Sequence, residues 1–444
     1  MGDCVVPDNR CRNLLIVCPN FAPSNTPDQH RVRISLPYLE QLGWRPIVLA
    51  VDPSFVEASE DPLLLQSVPG ETPVYRVNAF DQRRTRAFGL GNLGLRSLPF
   101  ILRRGKELIK EHAIDLVYFS TTVFAVMPAG RIWRESLGVP YVLDIQDPWL
   151  STYREGKPKS ERPPKYWFSH TLDKILEPWT MRKVSGLTVV SGAYAETLRS
   201  RYPWITEHDC LTLPFGANEK DAEVAKSIYD ANRFFDRGDG FIHGVYVGRA
   251  GRDMDVSLSV LFDAFKAGLK EAPDLFSRVR LHFIGTDYAP PDKARQWVLP
   301  IAARQGVAAF VTEEPNRVAY FNALTLLNDA DFLLVPGSDD PQYTASKIYP
   351  YILSRKPLLA VFHEASSVVS VLRQTHAGEV MTFTGASDLG QLSEKTSQVW
   401  RNLLERIPFS PATDWQAFEP FTAREMSREL CRFFDGVVER DRGR

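Results

Sequence analysis

The residues best placed to do chemistry stand directly after short apolar runs. Asp331-Phe332-Leu333-Leu334-Val335-Pro336 gives way to a polar stretch ending at Thr344, then to Ala345-Ser346-Lys347-Ile348-Tyr349-Pro350-Tyr351. The pattern reads as strand, loop, helix start. Pro350 lacks the donor for its i−4 carbonyl and crowds it, so the helix should not begin much before Ser346. Ser346 then serves as N-cap with Lys347 in the first turn. A cation at the positive end of a helix opposes the helix dipole unless an anion sits between them. Ser346, Lys347 and the backbone N–H groups therefore form a candidate phosphate or pyrophosphate site; the plain alternative is a solvated lysine on a surface helix.

A second cation follows another apolar run, in Tyr246-Val247-Gly248-Arg249-Ala250-Gly251-Arg252-Asp253. Gly248 and Gly251 would let backbone approach a ligand, with Arg249 and Arg252 supplying charge. Near the start, Pro19-Asn20-Phe21-Ala22-Pro23 leads through Asp28-Gln29 to His30-Arg31-Val32-Arg33. This turn carries no glycine, which argues against a nicotinamide cofactor on it. It brings His30, Arg31 and Arg33 to a helix start, His30 being either functional or an ordinary helix-end histidine. In Leu143-Asp144-Ile145-Gln146-Asp147-Pro148-Trp149 two acids lie at the exit of a buried run, which is costly unless they are paired or face a site. Asp147, before a proline, is the candidate to face a ligand, and Asp144 the candidate for a structural role.

The elements that must position these groups repeat as strand, then helix. Strand candidates in the first half are 14–18, 46–51, 74–77, 116–120, 141–145 and 187–190; in the second half they are 242–247, 279–284, 309–311, 332–335, 358–362 and 380–383. Such runs, rich in Val, Ile and Leu without alternation, suit strands buried on both faces. Between them run helical patterns, such as Val32, Leu36, Leu39 and Leu42 on one face with Gly43 ending the segment. The expected fold is α/β, with two Rossmann-like doubly wound domains facing a cleft. We place the domains at 1–220 and 235–418, with 419–444 as a C-terminal helix; the mixed, polar stretch 216–239 is the junction. Thr422 to Glu425 fits a capping box for a helix with Met426, Leu430, Phe433 and Val437 on one face. That helix either crosses to the first domain or packs on its own.

Composition removes several classes. The 444 residues exceed what one core usually supports, and 44% hydrophobic with 24% charged residues is ordinary for a globular chain. Net charge is −1, so no nucleic-acid footprint exists at whole-molecule level. Five scattered cysteines match no zinc spacing and suit reduced thiols. No signal-peptide layout and no apolar run of spanning length are found, which predicts a cytoplasmic protein, with peripheral membrane contact the one membrane role left open. That contact is sought in 83–110, where eight basic residues (Arg83, Arg84, Arg86, Arg96, Arg103, Arg104, Lys106, Lys110) interleave with apolar ones such as Phe88, Leu90 and Phe100. Gly89, Gly91, Gly94 and Pro99 suggest a loop plus a short helix there; the alternative is a solvated loop leading into a core-packed helix.

Taken in series, these segments resemble a GT-B-fold glycosyltransferase of retaining family 4, of the kind that assembles surface polysaccharides. The residues that carry the resemblance are Leu15 to Pro23, Asp144 to Trp149, Val189-Val190-Ser191, Val247-Gly248-Arg249, His282-Phe283-Ile284-Gly285 and Ser346 to Tyr351 with Lys356-Pro357. The resemblance implies that the second domain holds a nucleotide-diphosphate sugar. Gly248, Arg249, Ser346 and Lys347 would lie on its phosphates, and Arg33, Arg252, Gly285 and Tyr349 would make further donor or acceptor contacts. It implies that the first domain binds a saccharide or lipid-linked acceptor near His30 and Asp147, and that the last helix returns to that domain. It also implies transfer without a metal or other cofactor, the leaving phosphate itself accepting the acceptor's proton. Many members carry Glu-x7-Glu; those places here hold Gln342 and Pro350, so both acids are missing. A nucleotide-sugar epimerase on the same fold, or a sugar-binding protein without turnover, are the alternatives.

Overall fold

The computed structural model describes residues 11–85, 91–150, 166–228, 232–289, 293–340 and 348–443, without the side chains of 166 and 168. The chain divides into two compact units: Met1–Gly216 with Ala423–Arg444, and Ala217–Thr422.

Unit 1 is built on a parallel sheet of β1 (Arg12–Val17), β2 (Trp44–Val51), β3 (Val74–Val77), β4 (Leu116–Ser120), β5 (Tyr141–Ile145), β6 (Gly186–Val189) and β7 (Cys210–Thr212). Its order is β3-β2-β1-β4-β5-β6-β7, so the chain reverses its direction of travel at β1 and β4. Leu14, Leu15, Val17, Val117, Phe119, Leu143 and Leu187 are all at most 1% exposed, because helices cover both faces. The sequence patterns locate all of these strands except β7, whose three residues are half-buried or exposed and carry little periodic signal.

Unit 2 repeats the plan with β8 (Ile242–Val247), β9 (Val279–Ile284), β10 (Val311–Glu314), β11 (Phe332–Pro336), β12 (Leu358–His363) and β13 (Glu379–Phe383), in the order β10-β9-β8-β11-β12-β13. Here the reversal falls at β8 and β11. The expectation of a strand over 309–311 needs correcting: Ala308–Phe310 is a 3-10 turn and β10 begins at Val311. The expected α/β class with two doubly wound parallel sheets is what the chain adopts.

The last helix, Ala423–Arg442, belongs to unit 1. Phe434 meets Trp44 and Tyr118 edge to face at centroid distances of 5.5 and 5.0 Å. Asp435 accepts from Arg12 and from Trp44 Nε1, while Asp441 pairs with Arg134. Gly186 is required for this docking, since a Cβ there would stand 2.8 Å from the Phe433 ring.

The basic segment follows the second of the two expectations, a core-packed helix, though that helix is longer than the glycines and proline suggested. Residues 86–90, including Arg86, Phe88 and Leu90, lie outside the described residues. Leu93–Glu111 is one continuous 19-residue helix that accommodates both Gly94 and Pro99. Ile101 and Leu108 are fully buried, and Gly105 admits the Trp133 ring, which a Cβ would overlap at 2.2 Å. Arg96 is 2% exposed and donates to the carbonyls of Phe80 and Phe55; Arg103 and Arg104 pair with Glu107. The apolar face of this helix therefore packs into the unit's own core. Among the described residues no helix is long and apolar enough to cross a membrane.

Unit 2 buries a histidine pair beside its sheet. His243 Nδ1 and His282 Nε2 are 3.0 Å apart; Asp239 lies 3.0 Å from His243 Nε2, and Thr312 Oγ1 2.7 Å from His282 Nδ1. Phe235 stacks on both rings. Burial and the neighbouring His243 pull His282 down to about 4. An unfolded histidine accepts its proton near pH ~6.5, which the folded ring resists. Unit 2 is therefore expected to keep the full contribution above that pH and to lose it as pH falls toward about 4. Urea unfolding of wild type and His282→Asn across this range checks it; equal slopes in both would refute the assignment.

Candidate functional site

In doubly wound sheets, ligands gather beyond the carboxyl ends of the strands, where the strand order reverses. In unit 1 that place is held by the loops after β1 and β4. Asp28, 2% exposed, accepts from Thr121 Oγ1 at 2.8 Å, the Thr122 N–H at 3.2 Å and the Asn20 amide at 3.2 Å, which ties the two loops together. Its carbonyl accepts from the Gln146 amide at 3.0 Å, bringing in the loop after β5. Asp28 was not singled out by spacing; its only sequence signal is its place in the turn before His30.

Below this knot lies an ion pair with no exposed surface. Arg31 Nε donates to Asp144 Oδ2 at 2.8 Å, and its Nη2 donates to the Leu213 carbonyl at 2.7 Å. Asp144 also accepts from Ser120, Gln146 and Thr188, each at 2.8 Å. The charge is thus fully compensated, and Asp144 organises the site without lining it.

The helix His30–Leu39 begins at the same edge. His30 Nδ1 stands 3.0 Å from Arg33 Nη2. A guanidinium can only donate, so Nδ1 accepts and the ring proton sits on Nε2. Arg33 itself has no exposed surface and also donates to Ser67 Oγ. Arg33 therefore lies beneath His30 and orients it, rather than standing at the surface of the loop. Gln29, likewise fully buried, has neither amide atom hydrogen-bonded.

Asp147 is exposed at the mouth of β5. Its carboxyl is nonetheless pushed above the ordinary range, by partial desolvation and then by the Asp28 carboxylate. The loop that carries it is clamped: Leu150 N–H donates to Glu177 Oε2 at 2.6 Å, and Arg201 donates to the Leu150 carbonyl at 3.2 Å.

In unit 2 the reversal brings together the loops after β8 and β11, the two segments singled out for phosphate. Asp339 N–H donates to the Asp253 carbonyl at 2.7 Å, and Ser257 Oγ to the Gly337 carbonyl at 2.6 Å. Arg249 is held in a two-pronged fork by Asp253, at 2.9 and 2.6 Å. Burial raises the Asp253 carboxyl, but Arg249 and Ser338 outweigh it and leave it below its usual value. Gly251 leaves room for the fork, since a Cβ there would sit 2.6 Å from Asp253 Oδ1. The partner lies four residues from Arg249 and could have been suspected from that spacing. Gly248 is buried, its N–H donating to Ile284 at 2.9 Å, while Arg252 is exposed. The helix Asp255–Glu271 follows directly, its positive end toward this loop.

Gly285 ends β9 with φ 72°, a left-handed turn that favours glycine, its N–H donating to Glu314 at 2.8 Å. Tyr349 packs on Phe421 at 5.7 Å and Phe418 at 6.1 Å, and burial raises its phenol. Its ring is therefore part of the unit's packing. The segment 341–347, with Gln342, Ser346 and Lys347, lies outside the described residues; the helix is described over Ile348–Leu353 and includes Pro350. Among the described residues no three His, Cys, Asp or Glu side chains gather as a metal site would need.

Two doubly wound parallel sheets with these reversals define the GT-B architecture. Residues 35–219 match the model of Glycosyltransferase Family 4. The fold is shared with a glycosyltransferase from Rickettsia africae ESF-5 (13% identity over 97% of this chain and 99% of that one, TM-score 0.51). It is shared with Anabaena Alr3699/HepE, solved in complex with UDP (16% identity, 96% and 100%, TM-score 0.52). Sucrose-phosphate synthase from Thermosynechococcus elongatus has it too (12% identity, 96% and 99%, TM-score 0.54). No curated protein matches the sequence. At these identities the solved structures speak for the fold alone, and the family match is confined to residues 35–219. Together they show a GT-B fold, with residues 35–219 similar to Glycosyltransferase Family 4.

Proposed function

We propose that the protein transfers a sugar from a nucleoside-diphosphate sugar to a saccharide or lipid-linked acceptor, with retention and without a metal or other cofactor. The observation that carries this reading is the Arg249–Asp253 fork at the strand-order reversal of unit 2, beside the loop that leads to Ser346 and Lys347. A pre-oriented guanidinium and a helix N-terminus suit a diphosphate on which negative charge grows as the glycosidic bond breaks. The Anabaena protein of the same fold binds UDP, which supports a nucleotide donor. Gly248, Arg252 and Gly285 would line the donor; His30 and Asp147 of unit 1 would face the acceptor. The acceptor hydroxyl attacks on the face that the phosphate leaves, and its proton passes to that phosphate, so no protein base is required. Incubation with radiolabelled nucleotide sugars tests the reading: transfer supports it, while epimerisation or binding without turnover would replace it.

Asp147→Asn and His30→Ala should lower turnover while leaving nucleotide affinity nearly intact. Because desolvation and Asp28 raise the Asp147 carboxyl, the acidic limb of wild-type kcat/KM should lie above the ordinary carboxylate value of ~3.9 and be absent from Asp147→Asn. Wild-type rates in both variants would place the acceptor elsewhere on unit 1.

A cytoplasmic location with peripheral contact to an anionic membrane would rest on the exposed Arg83, Arg84, Arg103, Lys106 and Lys110, since Arg96 is buried and Arg104 is paired with Glu107 and Glu111. Such contact should appear as co-sedimentation with anionic vesicles at low salt and vanish at high salt. No binding at low salt would remove the membrane from the reading.

A further inference from the structure

Beside the Asp147 loop, unit 1 contains a cavity of about 190 Å³ that the donor and acceptor assignments above leave unused. It lies between the exit of β5, the helix Tyr166–Met181 and the helix Gly192–Arg201. Ile145, Pro148, Trp149, Met181 and Leu198 supply an apolar lining, with Tyr194 and Thr197 on the last helix. We propose that this cavity receives an uncharged, apolar ring carried by the acceptor, an aglycone ring held next to the sugar that is to be extended. The proposal rests on the transferase reading for the word acceptor; the cavity and its chemistry stand on the geometry of unit 1.

Four observations select that occupant. The first is size. Sites for whole small molecules run to ~300–1,000 Å³, so 190 Å³ takes one ring of a larger ligand. The second is charge. Glu177 is fully buried and Arg201 is half-buried, but they are paired with each other, and Glu177 also accepts from Tyr202 at 2.6 Å and Leu150 N–H at 2.6 Å. A charged ligand would have to compete with these bonds inside a low-dielectric wall, and breaking a buried pair is strongly unfavourable.

The third observation concerns hydrogen bonding. Trp149 Nε1 is engaged by Asp173 at 3.0 Å and Thr197 Oγ1 by the Ala193 carbonyl at 2.8 Å. A sugar ring buried here would find both of these donor hydrogens already committed, whereas an apolar ring needs neither. The fourth is rigidity. Trp149 is stacked on Phe124 at 5.6 Å and 9°, and the Leu150 backbone is clamped on both sides. A wall already ordered loses little entropy when a ring enters. Pro148 and Trp149 directly follow Asp147 in the chain, so a ring seated here lies next to the residue assigned to the acceptor.

The test uses the full chain and 4-nitrophenyl β-glucoside as probe, with methyl β-glucoside and octyl β-glucoside beside it, by calorimetric titration. Thr197→Trp is made at the exposed rim, and Leu198→Trp fills the interior. The aryl glycoside should bind at least tenfold more tightly than the methyl one, and both variants should lose that difference. Equal binding of the aryl and methyl glycosides to wild type, or an undiminished aryl preference in Thr197→Trp, overturns the proposal. So does a stronger preference for the octyl chain, which would assign the cavity to a flexible lipid. UDP titration of the same samples separates the two readings. Unchanged UDP affinity with lost aryl binding isolates the cavity, whereas a wild type that binds the aryl glycoside but no nucleotide defeats the donor reading alone.

Discussion

Asp144→Ala is expected to lower the stability of unit 1 by about 3–5 kcal/mol, the range found when one partner of a buried ion pair is removed. Arg31 has no exposed surface, and its charge is compensated by Asp144 at 2.8 Å. The substitution would leave the guanidinium buried without a counter-charge, held only by the uncharged Leu213 carbonyl, Met426 sulfur and Phe215 ring, and would strip Ser120, Gln146 and Thr188 of a shared acceptor. Urea unfolding followed on the transition of this unit measures the loss. Arg31→Met combined with Asp144→Leu should recover most of it, because an apolar pair of similar volume carries no uncompensated charge. A cost below about 1 kcal/mol for Asp144→Ala, ordinary for any substitution, would mean that water or a neighbouring group compensates Arg31. Turnover should also fall, since Asp144 holds Gln146, and Gln146 joins Asp28 to the loop that carries Asp147.

The second large effect is expected at the donor phosphates. Arg249→Ala and Lys347→Ala should each weaken nucleoside-diphosphate binding by tenfold or more, a charge-assisted bond contributing about 1.5–3 kcal/mol. Turnover should fall by about 10²–10³, because on the proposed reading the same cations would stabilise charge that develops on the leaving group. The fork makes a sharper statement possible. On the proposed placement, Arg249→Ala would leave the Asp253 carboxylate beside the phosphates without its counter-ion, so its repulsion would add to the lost attraction. Arg249→Ala/Asp253→Ala should therefore bind nucleotide better than Arg249→Ala alone. Calorimetric titration of the variants decides it; unchanged affinity in both single variants would discard the placement of the phosphates.

Much of this site was legible because buried parallel strands announce themselves. Runs such as Leu14 to Val17 and Phe332 to Val335 carry no alternation, and the residues after them fall at the carboxyl edge of a sheet by necessity. That reasoning placed Asp147 and Arg249 after strands and His30 at a helix start, where the structure has them. It could not show how such residues are held: Arg33 is sealed beneath His30, and the half-buried Tyr349 is packed on Phe421. Nor could it see that Pro99 lies inside a helix, because the packing of Ile101, Gly105 and Leu108 against the core offsets the local cost of the proline.

The sequence by itself determined the α/β class, the two-part plan and the residues at the strand exits, because these depend on period, apolar runs and turn chemistry within a few residues of one another. Only the tertiary structure decided which exits meet. The orders β3-β2-β1-β4 and β9-β8-β11 bring loops separated by about a hundred residues or less to the same edge, and it is this that joins Asp28 to Thr121 and Asp253 to Asp339. The partner of Arg31, 113 positions away at Asp144, and the partners of Arg33 and Glu177 follow from burial and strand order. A charge in the chain carries no mark of which opposite charge will share its interior.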